Sequence, residues 1–222
     1  VSTSQLRFEI QDDLTPDDLK RLEQSEGVGI DCEMTGLNPH RDLLCLVQVC
    51  DQDGRVSYLR NGDWENATNL KRLLENEQVL KIFHYALMDC SFLIQKTGAA
   101  PRNLYCTKIA SKLARTYSPE HGLSRLTQEL LNVKLDKSQQ TTDWLADELT
   151  PAQLKYAAND VVWLNEIRAS LEDLLRRKGA LPSGVSYLEL NAQCRDFIPT
   201  LCHLFLGGWS LGASDRAAVF TH

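Results

Sequence analysis

The feature that most constrains this chain is a short run, Gly29-Ile30-Asp31-Cys32-Glu33-Met34-Thr35-Gly36-Leu37. It reads as a strand over 28–33 that runs into a turn. Side chains two apart on a strand share a face, so Asp31 and Glu33 project together and Cys32 faces the other way. Two adjacent carboxylates repel each other unless something positive sits between them. An all-oxygen site of this kind suits a hard divalent cation such as Mg²⁺ or Mn²⁺. Asp-x-Glu also arises by chance at solvated strand ends, so the rest of the chain must decide.

The chain has 222 residues, 43% hydrophobic and 24% charged, enough for one well-filled core. The expectation is one domain over 1–178 and an extension over 179–222 that packs on the core or joins subunits. There is no run of about 18 apolar residues, so no membrane span is expected. The opening residues lack the basic end and apolar block of a signal peptide. Seven cysteines, Cys32, Cys45, Cys50, Cys90, Cys106, Cys194 and Cys202, are scattered singly. An odd count without Cys-x-x-Cys argues against a zinc cage or a disulfide framework, and a reducing cytoplasm fits best. A net charge of −6 is poorly suited to gripping long duplex DNA by its phosphates. It is compatible with a metal enzyme, because two divalent ions cancel four carboxylates.

In chain order, 5–10 reads as a weak edge strand. Thr15 caps a helix that starts at Pro16 and runs to about Gln24. Strands follow over 28–33, 43–49 and 56–59, with Asp51-Gln52-Asp53-Gly54 as a hairpin turn. A helix is expected from about 66 to 74, a buried strand over 79–83 and a helix over 86–96. A strand at 104–106 leads to Thr107, read as the cap of a helix through Arg115. Another helix spans 123–131, and 132–143 is a polar loop. Thr150-Pro151 opens a long helix that runs with a break to about Lys178. Residues 179–184 form a linker, and the tail carries an apolar patch over 197–206 before Gly207-Gly208-Trp209. Strands first, then alternating strand and helix, predict an α/β domain with a mixed sheet and helices on both faces.

Three more residues join the first pair. Asp89 follows a strand that ends near His84, in the first turn or so of a helix. Ligands in α/β sheets gather at such strand ends, although a lone Asp there also serves as a helix-start charge. Tyr156 and Asp160 are i and i+4 on a late helix and face the same way. The small Ala157 and Ala158 let that helix press closely on a neighbour; a surface hydrogen-bonded pair is the alternative.

Asp31-x-Glu33 on an early strand, Asp89 after the Phe83-His84 strand, and Tyr156-x-x-x-Asp160 on a late helix resemble the DEDDy exonucleases of the RNase D type. So does Thr142-Asp143-Trp144 with the run from Leu149 to Val161. The segments 36–42 and 106–113 resemble the short RNase D-like proteins called nanoRNase C. Thr116-Tyr117, His121-Gly122-Leu123, Phe197-Ile198-Pro199 and Gly208-Trp209 point the same way. The related subclass has a His five residues before the final Asp; here that position is Lys155, so the Tyr version applies.

The resemblance implies an RNase H-like (DnaQ-like exonuclease) core with a short C-terminal extension and no HRDC domain. It implies 3′–5′ removal of nucleotides from short single-stranded RNA, dinucleotides to short oligonucleotides, as nucleoside 5′-monophosphates. Asp31, Glu33, Asp89 and Asp160 are then ligands of two Mg²⁺ or Mn²⁺ ions roughly 4 Å apart, and Tyr156 aims the attacking water. Met34, Thr35 and Leu37 follow the strand where the terminal nucleotide meets backbone and an apolar side chain; Leu37 is either a wedge between bases or ordinary packing. His84 and Tyr85 stack on a base, touch a phosphate, or, for Tyr85, pack in the core. Lys108, Lys112, Arg115 and His121 are either a solvated basic face or a grip on the substrate's 5′ phosphate. Gln139, Gln140 and Asp143 are placed to shape the pocket. The resemblance also carries a ring-like homo-oligomer, with an octamer as one candidate size. Two other readings remain: RNase D-type trimming of tRNA, other stable RNA or DNA, and a nucleic-acid-binding protein with a dead site.

Overall fold

The computed structural model describes residues 9–136 and 142–211, with side chains described through Gly208. Six strands form one mixed sheet: β1 (Ile10–Gln11), β2 (Val28–Met34), β3 (Leu44–Cys50), β4 (Val56–Leu59), β5 (Lys81–Phe83) and β6 (Leu104–Cys106). Their order is β1-β4-β3-β2-β5-β6. The central meander β2-β3-β4 is antiparallel, whereas β2, β5 and β6 run parallel and β1 lies parallel to β4. The expected edge strand is therefore at the edge; its residues before Glu9 lie outside the described ones.

β2 shows the alternation read from sequence. Val28, Ile30 and Cys32 enter one core, with the buried faces of α1 (Pro16–Glu23), α2 (Thr68–Glu75) and α3 (Ala86–Thr97). Gly29, Asp31 and Glu33 face the other side. There α4 (Thr107–Ala114), α5 (Leu123–Leu131), α6 (Pro151–Asn159) and α7 (Leu164–Lys178) close a second core. β3 is buried on both faces along its whole length. Its apolar run is broken by a single polar residue, Gln48.

The helix starts follow their caps. Thr15 Oγ1 accepts from Asp18 N at 3.0 Å, with Pro16 in the first turn. Thr150 and Gln153 form a reciprocal capping box ahead of α6. Thr107 behaves differently from expectation. It opens α4 but does not cap it, because its hydroxyl is turned back to the end of β5, donating to Phe83 O at 3.2 Å. The long late helix is broken at 160–163, as expected. The tail holds more order than its composition signalled: α8 (Tyr187–Leu211) is one helix with Pro199 inside it. Ile198 and Cys202 of α8 enter the core beside α3. Phe197 of the apolar patch is exposed, and the Trp209 side chain lies outside the described ones. Among the described residues no helix is long and apolar enough to cross a membrane.

Candidate active site

The carboxyl ends of the parallel strands β2, β5 and β6 meet at one rim of the sheet. Opposite β2, Glu33 pairs with Leu46 and Met34 with Leu44, so Cys45 is the extra residue of a β-bulge beside Glu33. Bulges of this kind re-aim side chains next to active sites.

The second element is the break between α6 and α7. Asp160 is the C-cap of α6, one turn after Tyr156, and the Tyr156 hydroxyl donates to its carboxylate. This turn comes very close to β2: a Cβ built on Gly29 would stand 2.7 Å from Val161 O. Tyr58 OH donates to Leu154 O at 3.2 Å and clamps α6 to the sheet. Trp144 packs on the Tyr156 ring with centroids 6.2 Å apart. Gln153 Nε2 donates to Asp143 O at 3.0 Å, which ties the Asp143 segment to the same helix.

Asp31, Glu33 and Asp160 each offer an oxygen, and these atoms lie within 4.8 Å of one another. Asp89, buried at the start of α3, is outside that tight set of three. It accepts a backbone hydrogen bond from Cys32, and its charge acts on both Asp31 and Glu33. Burial raises the pKa of all four: Asp160 to about 6, Asp89 to about 8, Glu33 to about 9, and Asp31 well above the carboxylate range. Mutual repulsion adds to the shifts of Asp31, Glu33 and Asp89. Among the described residues no cation offsets these charges. Converging, half-buried, uncompensated carboxylates are the donor set a hard divalent ion requires. Burial and the neighbouring carboxylates also raise the Tyr156 phenol far above its usual range, so it stays protonated.

A cleft of about 520 Å³ opens over this cluster, lined by Asp31, Tyr156, Asp160 and His84 on one side. The α5 entry, with Gly122, Ser124 and Arg125, lines the other. His84 is held by Thr107, with Nδ1 to Oγ1 at 2.9 Å, and burial keeps it neutral, with a pKa of about 3. Tyr85 sits in the left-handed region at φ 83°, 42% exposed, with Lys108 Nζ 4.0 Å from its ring centroid. It is therefore not a core residue. Leu37 is 64% exposed on the loop after β2, so packing does not hold it either. Thr35 braces that loop: its backbone N–H donates to Leu43 O, and its hydroxyl accepts from Leu43 N at 2.9 Å. Met34 is half-buried against the α3 side.

The basic stretch divides. Lys112 is exposed and Lys108 half-buried. His121 is held by Ser111, with Nδ1 to Oγ at 2.8 Å, and burial lowers its pKa. Arg115 corrects the sequence expectation. It is wholly buried, forked onto Glu129 at 3.0 and 2.5 Å, and also donates to Ser111 and to Glu120 O. A guanidinium buried and committed in this way braces α4 against α5 and offers no exposed donor to a phosphate. Helical spacing put it on a face with Lys108 and Lys112, but Arg115 is the cap residue after α4 and turns inward. Arg125, which sequence reasoning passed over, lines the cleft instead; Gly122 just before α5 was its signal. Gln139 and Gln140 lie outside the described residues.

The close approach at Gly29 gives a direct test of this geometry. Gly29→Ala pushes the Asp160 turn off β2, and a misplacement near 1 Å costs activity on the order of 10²-fold. Gly62→Ala, whose added Cβ meets nothing within 4 Å, serves as the control. Nuclease rates for both variants check this, and a Gly29→Ala rate within twofold of the parent would rule out tight placement.

The model of the 3′–5′ exonuclease family matches residues 9–176. Ribonuclease D of Zymomonas mobilis is 35% identical over 162 residues, covering 72% of this chain and 41% of that protein. The chain thus spans about two-fifths of the length of such curated relatives. NrnC of Brucella melitensis superposes with a TM-score of 0.84 at 40% identity, over 96% of this chain and 97% of that one. Structures of the Brucella protein with pGG and with Mg²⁺ superpose at TM-scores of 0.83 and 0.82. Escherichia coli RNase D, at 25% identity, covers 89% of this chain and 51% of its own, with a TM-score of 0.72. With the fold, the carboxylate cluster and this match in agreement, the chain belongs to the 3′–5′ exonuclease family and is a homologue of ribonuclease D.

Proposed function

We propose that the chain is a divalent-metal-dependent 3′–5′ exoribonuclease that degrades short RNA, down to dinucleotides, to nucleoside 5′-monophosphates. The observation that carries this is the convergence of Asp31, Glu33 and Asp160 from β2 and the α6–α7 break, with Asp89 and Tyr156 beside them. Asp31, Glu33, Asp89 and Asp160 would hold two Mg²⁺ or Mn²⁺ ions. Bound there, such ions supply an acidified water and charge relief for the leaving 3′ oxygen. Tyr156, protonated and anchored on Asp160, aims the attacking water rather than deprotonating it. His84, neutral and fixed by Thr107, offers its free ring nitrogen to the substrate. Leu37 and Tyr85 present exposed apolar surface for the bases. Lys108, Lys112 and Arg125 supply positive charge for a 5′ phosphate. A short substrate is supported by the likeness to a Brucella protein whose structure carries pGG. Seven free cysteines agree with the cytoplasm, and exposed Phe197 and Tyr117 agree with contact between subunits in a homo-oligomer.

The test is turnover of a 5′-labelled dinucleotide against a 20-mer, with Mg²⁺ and Mn²⁺ separately and with EDTA. The dinucleotide should win by at least about tenfold, or ~1.4 kcal/mol of transition-state binding. A 20-mer or tRNA 3′ end cleaved faster would replace this reading with 3′-end trimming. No EDTA-sensitive release from any substrate would leave only a binding protein.

A further inference from the structure

Beside the carboxylates, under α6, lies an amide that the site as described does not use. Gln48 stands on β3 directly opposite Asp31 of β2 and Tyr58 of β4. Directly paired residues on neighbouring strands project to the same face, with Cβ atoms about 4.5–5.5 Å apart. The side chains thus form a row, Asp31–Gln48–Tyr58, on the face that α6 covers. Tyr58 at one end is bonded to α6. Asp31 at the other end receives a backbone hydrogen bond from Cys32 but no side-chain donor among the described residues. Between them Gln48 is 0% exposed, and among the described residues neither its Nε2 nor its Oε1 has a hydrogen-bond partner. Leaving a buried amide unmatched is destabilising, because it forfeits its bonds to water and gains none in return. A residue tolerated at that cost, in a strand otherwise apolar, needs a use beyond packing.

We propose that Gln48 is a positioning residue of the metal site: its Nε2–H donates to the Asp31 carboxylate, directly or through one water, and fixes which oxygen faces the ions. The inference rests on the reading that Asp31 holds metal. An amide N–H is the right donor here. It steadies a carboxylate without adding a positive charge that would compete with the cation, and Gln48 has the reach that its place in the sheet requires. Partners of this kind behind metal ligands are worth on the order of 10–100-fold in metal affinity.

Gln48→Met keeps the volume and removes both polar atoms. Mn²⁺ affinity, read by electron paramagnetic resonance of the free ion, should weaken about tenfold. In EDTA the variant's melting temperature should hold or rise, since the lost amide had no partner. A merely structural Gln48 predicts the opposite pair, a lower melting temperature and Mn²⁺ affinity within twofold of the parent, and that result overturns the proposal. Gln48→Asn, which keeps the amide but withdraws it by one methylene, carries the test should Gln48→Met not fold. It should lose affinity to a similar extent, and parent-like binding again overturns the proposal. A parent that binds no Mn²⁺ removes the metal reading and this one with it. A parent that binds, with both variants equal to it, removes this one alone.

Discussion

Asp31→Asn abolishes metal-dependent release of mononucleotides and leaves the metal-free protein more stable than the parent. The loss should be on the order of 10³-fold or more, because a ligand of the ions that activate water and relieve the leaving oxygen is removed. The gain has the same cause seen from the folding side. Asp31, Glu33 and Asp89 repel one another in a buried setting, and no cation among the described residues offsets them. An amide in place of one carboxylate keeps the shape and removes that member's charge. In EDTA at pH 8 the relief should be ~1–2 kcal/mol, or roughly 2–8 °C in melting temperature for a chain of this size. Scanning fluorimetry in EDTA and a Mn²⁺-supported nuclease assay read the two halves separately. Parent-like turnover would remove Asp31 from the site. A lowered melting temperature would make its carboxylate a structural group.

Asp31 and Glu33 sit two apart in a strand whose other face is apolar, so strand periodicity alone put both on one side. Tyr156 and Asp160 are one helical turn apart, and Thr150-Pro151, as cap and first turn, marked where their helix begins. What could not be read was the approach of that turn to β2. It depends on the bare Cα of Gly29 against Val161 O, a contact between residues 132 positions apart. Arg115 misled for a related reason: helix spacing predicts a face only while the helix lasts, and α4 ends at Ala114. α8 was read only as an apolar patch because Pro199 and the Gly207-Gly208 pair break the helical signal. Its packing against α3, and a bond between His40 Nε2 and Leu206 O at 3.0 Å, give it a place that composition does not encode. Gln48 was visible all along as the single polar residue in Leu44–Cys50, but its importance shows only once its register against Asp31 is known.

Between pH 6.5 and 8 the metal-free protein should lose stability as pH rises, and Mn²⁺ should cancel that loss. Asp89 and Glu33 have folded-state pKa values raised to about 8 and about 9. The folded state therefore binds more protons than the unfolded chain across this window, and stability falls with pH. Below the window His84 contributes the other way, since its pKa is lowered to about 3 and charging it opposes folding as pH drops. Above it Lys81, buried on β5 with a pKa lowered to about 8, also favours folding as pH rises. Only between them does the carboxylate cluster dominate. Because these groups share protons, one group's shift sets the scale. Over 1.5 pH units that is about 2 kcal/mol, or roughly 4–8 °C. A bound ion does what the protons did, and needs the carboxylates ionised to bind. The stabilisation by millimolar Mn²⁺ should therefore grow with pH as the free-protein curve falls. Melting curves in EDTA and in Mn²⁺ at pH 6.5, 7.25 and 8 decide it. A free-protein curve that climbs, or a Mn²⁺ shift of the same size at all three values, would mean that protons and metal do not compete for this cluster.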